Sequence, residues 1–384
     1  MIYLDNAATT FPKPGIVIDE VEKCMREYCA NPGRGGHALS LMSGRAVLET
    51  REAICRLFNI KNPMQLCFTK NATEALNIAI YSLLKPGSHV ITSCMEHNSV
   101  MRPIMTLQRD AGIELTVIQG DSRGCIDPAD IAKNIKPNTV LIISTLSSNV
   151  NGIIMPVREI GKAAGEAGIP FLLDASQGAG SIPVDVEDMN VSLLAFPGHK
   201  DLYGPQGTGG LFAKEGLQLK HIMSGGTGSN SESLYQPEFM PDFLESGTLN
   251  TPGIVGLRSG VGFILDTDQV NIKNRKWMLT KRLYEGLKEI KGITFYNSSE
   301  KENNSGIVAI NLEDMDSTEV SFLLDRDYGI ATRAGLHCAP MAHRVLGTEA
   351  LGIVRLSPGF FNTAAEIDEA IRAIKNISGK YVSA

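Results

Sequence analysis

Between an apolar run and a glycine-rich loop, the stretch AFPGHKDLYGPQGTGG carries one lysine, Lys200. A lysine there can be a solvated loop residue, a phosphate ligand or a nucleophile, and its neighbours in space decide which. In an open parallel sheet, ligands collect beyond the carboxyl ends of the strands, so the residues that follow each predicted strand matter most. VITS is followed by Glu96, His97 and Asn98, and LIIST by LSSNVNG with Asn149. FLLD ends on Asp174 and runs into Ser176 and Gln177, while VSLLAF leads to His199 and Lys200. KNATEA reads as a helix start with unpaired backbone N–H groups and Thr73 in its first turn. One rim would then hold an acid, a lysine, imidazoles, amides and an anion-binding helix end.

Several ligands can be tested against that rim. A nucleotide needs a phosphate loop, but GPQGTGG has no Gly-Lys-Ser/Thr and precedes a strand, not a helix. No G-x-G-x-x-G runs from a strand into a helix, so a dinucleotide fold is poorly supported. His97, His199 and His337 are too scattered for a hydrolytic metal centre, and no metal is expected. Pyridoxal 5'-phosphate (PLP) asks for a lysine to form a Schiff base, a carboxylate for its pyridine nitrogen and a helix N-terminus for its phosphate. The sequence offers all three, in separate βα loops.

The elements that must position these groups leave their own signals. NATEALNIAIYSLLKPG predicts a helix with Asn71 as N-cap, Glu74 at the capping-box position and Pro86-Gly87 as the stop. TVLIIST, VREIGKAAGEAG and IPFLLD form a βαβ unit, right-handed by the general rule. After about residue 265 a long polar-faced helix leads into alternating strands and helices, the last with Thr363 and Glu366 as a capping box. The fold class expected is α/β with a largely parallel sheet. A chain of 384 residues is too long for one small core. Its net charge of -6 lacks the basic footprint of a nucleic-acid binder. No apolar run approaches the roughly 18 residues of a membrane span, and MIYLDNAATTFPKPG does not read as a secretory leader. A cytoplasmic protein with neither nucleic-acid nor membrane partners is expected. Seven cysteines without a C-x-x-C argue against a disulfide framework. Most read as small buried hydrophobes, and Cys338 stands apart, beside His337 in a glycine-containing loop.

Taken in order, YLDNAATT, ATEALN, EHNS, DASQ, GHK, ESGTLNTP and RAGLHCAP resemble the class V aminotransferase-fold group of PLP enzymes. Within it the chain is similar to SufS-type cysteine desulfurases and bacterial selenocysteine lyases, from residue 3 to about residue 372. The resemblance implies a fold-type I PLP-dependent transferase. A large PLP-binding domain would span 15–265, with a mainly parallel sheet flanked by helices. A smaller α+β C-terminal domain, 266–384, would carry the Cys338 loop, and an arm of residues 1–14 would pack with it. Lys200 becomes the Schiff-base lysine, Asp174 the partner of the pyridine nitrogen, and His97 a ring-stacking residue that assists proton transfer. Gln177 is implied to bond the phenolate oxygen, Asn149 to lie near substrate and ring, and Thr73, Ala72 and His199 to line the phosphate site. Thr248 would reach the cofactor of a second subunit, making a homodimer part of the site. Arg355 is the first candidate for the substrate carboxylate, through the paired hydrogen bonds a guanidinium offers, with Arg333 and His37 beside it.

Two residues depart from the family pattern. Pro197 stands where a serine is common, and Ala72 where many relatives have threonine, so two hydroxyl contacts to phosphate are missing and backbone amides would carry more of the binding. The activity implied is cysteine desulfuration, giving L-alanine and a Cys338 persulfide that a thiol or carrier protein accepts. Thiolate is the reactive form of a cysteine, and cationic neighbours favour it; His337 and two arginines flank Cys338. A selenocysteine lyase with little activity on cysteine is the alternative. An aminotransferase on the same fold ranks lower, because it leaves Cys338 without a role.

Overall fold

The computed structural model describes residues 1–33 and 35–381. The strands are β1 (Ile2–Tyr3), β2 (Leu66–Thr69), β3 (His89–Ser93), β4 (Glu114–Ile118), β5 (Thr139–Thr145) and β6 (Phe171–Asp174). They continue with β7 (Leu193–Pro197), β8 (Gly209–Ala213), β9 (Ile293–Phe295), β10 (Val308–Leu312), β11 (Ile330–Ala331) and β12 (Val354–Leu356). β3, β6, β7 and β8 are buried at every residue, as runs covered by helices on both faces must be. Seven strands form one sheet in the order β2-β8-β7-β6-β5-β3-β4. All neighbours are parallel except β8, which runs antiparallel to both β2 and β7. The register sets Thr145 opposite Asp174 and Asp174 opposite Ala195, so the ends of β5, β6 and β7 share one rim.

Two helices start at that rim. Asn71 caps Ala72–Leu83, its side chain accepting the Glu74 N–H at 2.9 Å. The Glu74 carboxylate reaches back to the N–H of Lys70 at 2.6 Å, one residue earlier than a regular capping box would have it. His97 caps Asn98–Ala111. In the C-terminal part the expected box is reciprocal: Thr363 N–H donates to Glu366 at 2.8 Å and Glu366 N–H to Thr363 Oγ1 at 3.2 Å.

The helix Thr251–Thr267 runs past residue 265, and Asp268, at a φ of 73°, turns the chain into the helix Gln269–Lys288. Beyond it, β12-β10-β9 form an antiparallel sheet over a second core of Leu279, Leu283, Val308, Val354 and Ile374, among others. The main core nevertheless takes in Ile272, Ile307, Ala339 and Ile353, so the two regions share apolar packing. The N-terminal segment touches both. β1 pairs in parallel with β11, while Thr9 and Lys13 donate to the His199 carbonyl at 3.0 and 2.7 Å.

Two buried ion pairs brace the rim from below. Lys276 meets Asp201 at 3.0 Å, and Asp201 also accepts from Gly178 N–H at 2.9 Å, tying the residue after Lys200 to the residue after Gln177. Arg51 forks onto Glu245 at 2.8 and 2.7 Å and also donates to the Leu66 carbonyl, while Glu245 accepts the Phe68 N–H at 2.6 Å. That pair fixes β2, the strand leading into Asn71 and Thr73. Glu245→Ala leaves a buried guanidinium unpaired, and we expect it to cost about 3–5 kcal/mol of stability. Denaturant unfolding checks this; an unchanged midpoint would contradict the role given to the pair.

Candidate active site

Lys200, Asp174, His97, Asn149, Thr73 and His199 all line one cavity at the carboxyl ends of β3, β5, β6 and β7. The loop that presents Lys200 is tight. Gly198 N–H donates to the Thr208 carbonyl at 2.8 Å, and a Cβ on Gly198 would sit 2.1 Å from Thr208 Oγ1, so any side chain there would force Thr208 to shift. The turn is completed by Tyr203 N–H donating to the Lys200 carbonyl at 2.9 Å; Tyr203 itself, not a glycine, takes the left-handed conformation, at a φ of 58°.

Among the described residues the Lys200 amine has no hydrogen-bond or ion-pair partner. Burial lowers its pKa to about 8, with Asp174 opposing the shift and Arg355 and Arg333 adding to it. Burial raises the Asp174 carboxyl, which accepts the Ser176 N–H at 2.9 Å. A neutral amine is the form that attacks an aldehyde, so capture of PLP by the cofactor-free chain should accelerate as pH rises through about 8. Stopped-flow absorbance checks this; a rate still climbing at about pH 10, the range of an ordinary lysine, would contradict it.

His97 Nδ1 accepts the Ser99 N–H at 3.0 Å. A backbone N–H can only donate, so Nδ1 presents a lone pair and the neutral ring carries its hydrogen on Nε2. Burial, then the charge of Lys200, pushes His97 down to about 4 and keeps the ring neutral at physiological pH. His199 is lowered to about 4 for the same reasons, and its buried Nδ1 has no partner among the described residues. The N–H groups of Ala72 and Thr73, at the free end of their helix, have no acceptor among the described residues.

Cys338 is exposed in a loop whose backbone is strained: His337 and Cys338 both take positive φ, 49° and 57°. Hydrogen bonds from the cavity side hold it. Asn149 Nδ2 donates to the His337 carbonyl at 2.7 Å, and Asn98 N–H to the Cys338 carbonyl at 2.7 Å. The Nη2 of Arg333 lies 3.9 Å from the thiol sulfur. Burial and the Arg355 charge drive His337 down to about 2, so it stays neutral. The expectation that His337 adds positive charge beside the thiol is therefore corrected: Arg333 supplies it.

Arg355 is almost wholly buried, paired with Asp5 at 2.6 Å and donating to the Asn149 carbonyl at 2.7 Å, while its Nε has no partner among the described residues. Arg333 and Arg355 are backbone partners, so the two guanidinium groups come from adjacent chain segments. Gln177 is buried behind the cavity, its amide nitrogen donating to the Ala7 carbonyl at 2.7 Å. His37 does not line the cavity and instead caps the helix Ala38–Phe58. Thr248, expected to serve a second subunit, lies in a separate groove with Thr69, Lys70 and Gly207. Ser99 and Thr145 also line the cavity, though no sequence signal marks them, and Glu96, which follows β3, is wholly buried. Glu96 accepts from Ser93 Oγ at 2.5 Å and Thr145 N–H at 3.0 Å, bridging the ends of β3 and β5; burial raises it to about 7.

The class-V aminotransferase family model matches residues 2–370. The chain belongs to that family. A relative from Methanothermobacter thermautotrophicus, named a probable cysteine desulfurase, is 35% identical over 98% of this chain and 95% of its own. Another with that name, from Pyrococcus abyssi, is 33% identical over 98% and 94%. The solved cysteine desulfurase of Thermococcus onnurineus superposes with a TM-score of 0.93 at 32% identity, covering 99% of this chain and 95% of that one. The fold is the fold-type I, aminotransferase-like one that the motif order implied. The family is PLP-dependent, and PLP is this chain's cofactor. The cavity suits it: two free N–H groups, a hydroxyl and the His199 nitrogen unpartnered among the described residues for phosphate, a buried carboxylate for the ring nitrogen, and an amine of lowered pKa for the aldehyde.

Proposed function

We propose that this family member is a cysteine desulfurase, releasing L-alanine from L-cysteine and taking the sulfur onto Cys338. The observation that carries the reading is the Cys338 loop, tied to the cavity rim by Asn149 and Asn98 with its thiol 3.9 Å from Arg333. The names of the relatives support it. An aminotransferase needs no thiol there.

Lys200 would anchor the cofactor covalently, Asp174 would hold its ring nitrogen, and Ala72, Thr73 and His199 would hold its phosphate. Bound there, PLP supplies an electron sink for negative charge at the substrate Cα. The chain's own groups do the rest. Arg355, braced by Asp5 and the Asn149 carbonyl, keeps N–H donors for the substrate carboxylate. Lys200 removes the Cα proton, which its lowered pKa favours. The Cys338 thiolate attacks the substrate sulfur, so an S–S bond forms as the Cβ–S bond breaks, and the bonding pair stays with Cβ, which takes up a proton. Lys200, an ammonium once it holds the Cα proton, is the acid able to return protons to the substrate carbons, while the neutral His97 ring beside it offers Nε2–H only as a hydrogen-bond donor. The balance is one thiol and one cysteine in, one persulfide and one alanine out. A small thiol or a carrier protein then accepts the terminal sulfur.

Thr248 lies outside this chain's cavity, and Ile18, Met25 and Leu41 expose apolar side chains on the helices Gly15–Glu27 and Ala38–Phe58. A homodimer would cover such surface and bring Thr248 to the partner's site. Sedimentation at twice 41.4 kDa is expected, and a monomer would contradict it.

The PLP-loaded chain, given L-cysteine and a thiol reductant, should release L-alanine and sulfide in equal amounts. Mercaptopyruvate formed only with an added keto acid would make it an aminotransferase and overturn the proposal.

A further inference from the structure

Two hydroxyls of the family pattern are missing at the phosphate end, where Ala72 and Pro197 stand, and the structure supplies one from elsewhere. Ser99 lines the same cavity as Ala72, Thr73, Pro197 and His199. Its Oγ lies 2.8 Å from Thr73 Oγ1 and 2.9 Å from His97 Nδ1. We propose that Ser99 is a phosphate ligand of the cofactor, a hydroxyl contributed by the second helix at the rim in place of those absent at Ala72 and Pro197.

The local chemistry fixes that hydroxyl in position. Ser99 is the second residue of the helix Asn98–Ala111, and its N–H is committed to His97 Nδ1 at 3.0 Å. The ring and the Thr73 hydroxyl therefore hold Oγ between them, beside the free N–H groups of Ala72 and Thr73. Serine and threonine hydroxyls each carry one hydrogen and rotate to suit their partner. Without an anion they satisfy one another and His97. With a phosphate on the free N–H groups, both hydrogens can turn to its oxygens, and a hydrogen bond to a charged acceptor is the stronger choice. His97 Nδ1 keeps the Ser99 N–H in either arrangement, so its Nε2–H form is retained.

This inference rests on the PLP reading of the cavity, and the test separates the two. Cofactor-free native chain and Ser99→Ala are titrated with PLP and with pyridoxal, which lacks the phosphate, following the visible absorbance of the lysine adduct. A lost hydrogen bond to a charged group corresponds to a fall of about 10-fold or more in affinity. We expect that loss for PLP, little change for pyridoxal, and substantial recovery in Ser99→Thr. Inorganic phosphate should likewise compete less well with PLP in Ser99→Ala. Equal weakening of PLP and pyridoxal, or none of either, overturns the role of Ser99 while leaving the cofactor assignment intact. A native chain that forms no adduct with PLP overturns both.

Discussion

Lys200→Ala is expected to abolish the visible absorbance of the lysine-bound cofactor and to cut alanine release by on the order of 10⁴-fold, the upper range for loss of a proton-transfer group. Both effects have one source. Lys200 is the amine without a partner in the cavity, and burial holds it near the pKa at which it can bind an aldehyde and accept a proton. The backbone of its loop is set by Gly198, Thr208 and Tyr203, not by the amine, so the variant should fold. Far-ultraviolet circular dichroism on the same sample checks that. A variant that keeps both its colour and its turnover would remove Lys200 from the chemistry.

Cys338→Ala separates the readings of the activity. With L-cysteine, alanine release should fall by on the order of 10³-fold or more, as expected when a covalent nucleophile is removed. The absorbance of bound PLP should persist, because Cys338 is exposed on the rim and its loop is held through backbone carbonyls that alanine retains. With L-selenocysteine the loss should be smaller, since a selenol ionises more readily and the C–Se bond is weaker. Equal, undiminished turnover of both substrates would leave the thiol without a catalytic role. Turnover of selenocysteine alone by the native chain would make the selenium reaction the natural one.

The site was legible in the sequence where chemistry follows a strand. Asp174 ends a strand, and Asn149, His97 and Lys200 lie within four residues of the end of one, so the sheet register gathers them on one rim. Asn71 and the Thr363–Glu366 box were readable because caps act within four residues. What escaped was long-range or conformational. Asp5 and Arg355 pair across 350 positions, as Arg51 and Glu245 do across 194, and no local pattern announces them. The antiparallel course of β8 follows from a connection that returns over Lys200, which strand composition does not encode. The left-handed pair at His337 and Cys338 has no glycine to signal it. Ser99 lies within EHNS, yet a serine in a first helical turn reads as an ordinary start residue until Thr73 and His97 are seen beside it.

The most direct test of the account is the mass of the Cys338 peptide after a single turnover. PLP-loaded chain is mixed with less than one equivalent of L-cysteine in the absence of reductant, quenched by alkylation and digested. One added sulfur atom is expected on Cys338, in proportion to the alanine formed, and none on the other six cysteines. Alanine released with Cys338 unmodified, or with the sulfur on another cysteine, would contradict it.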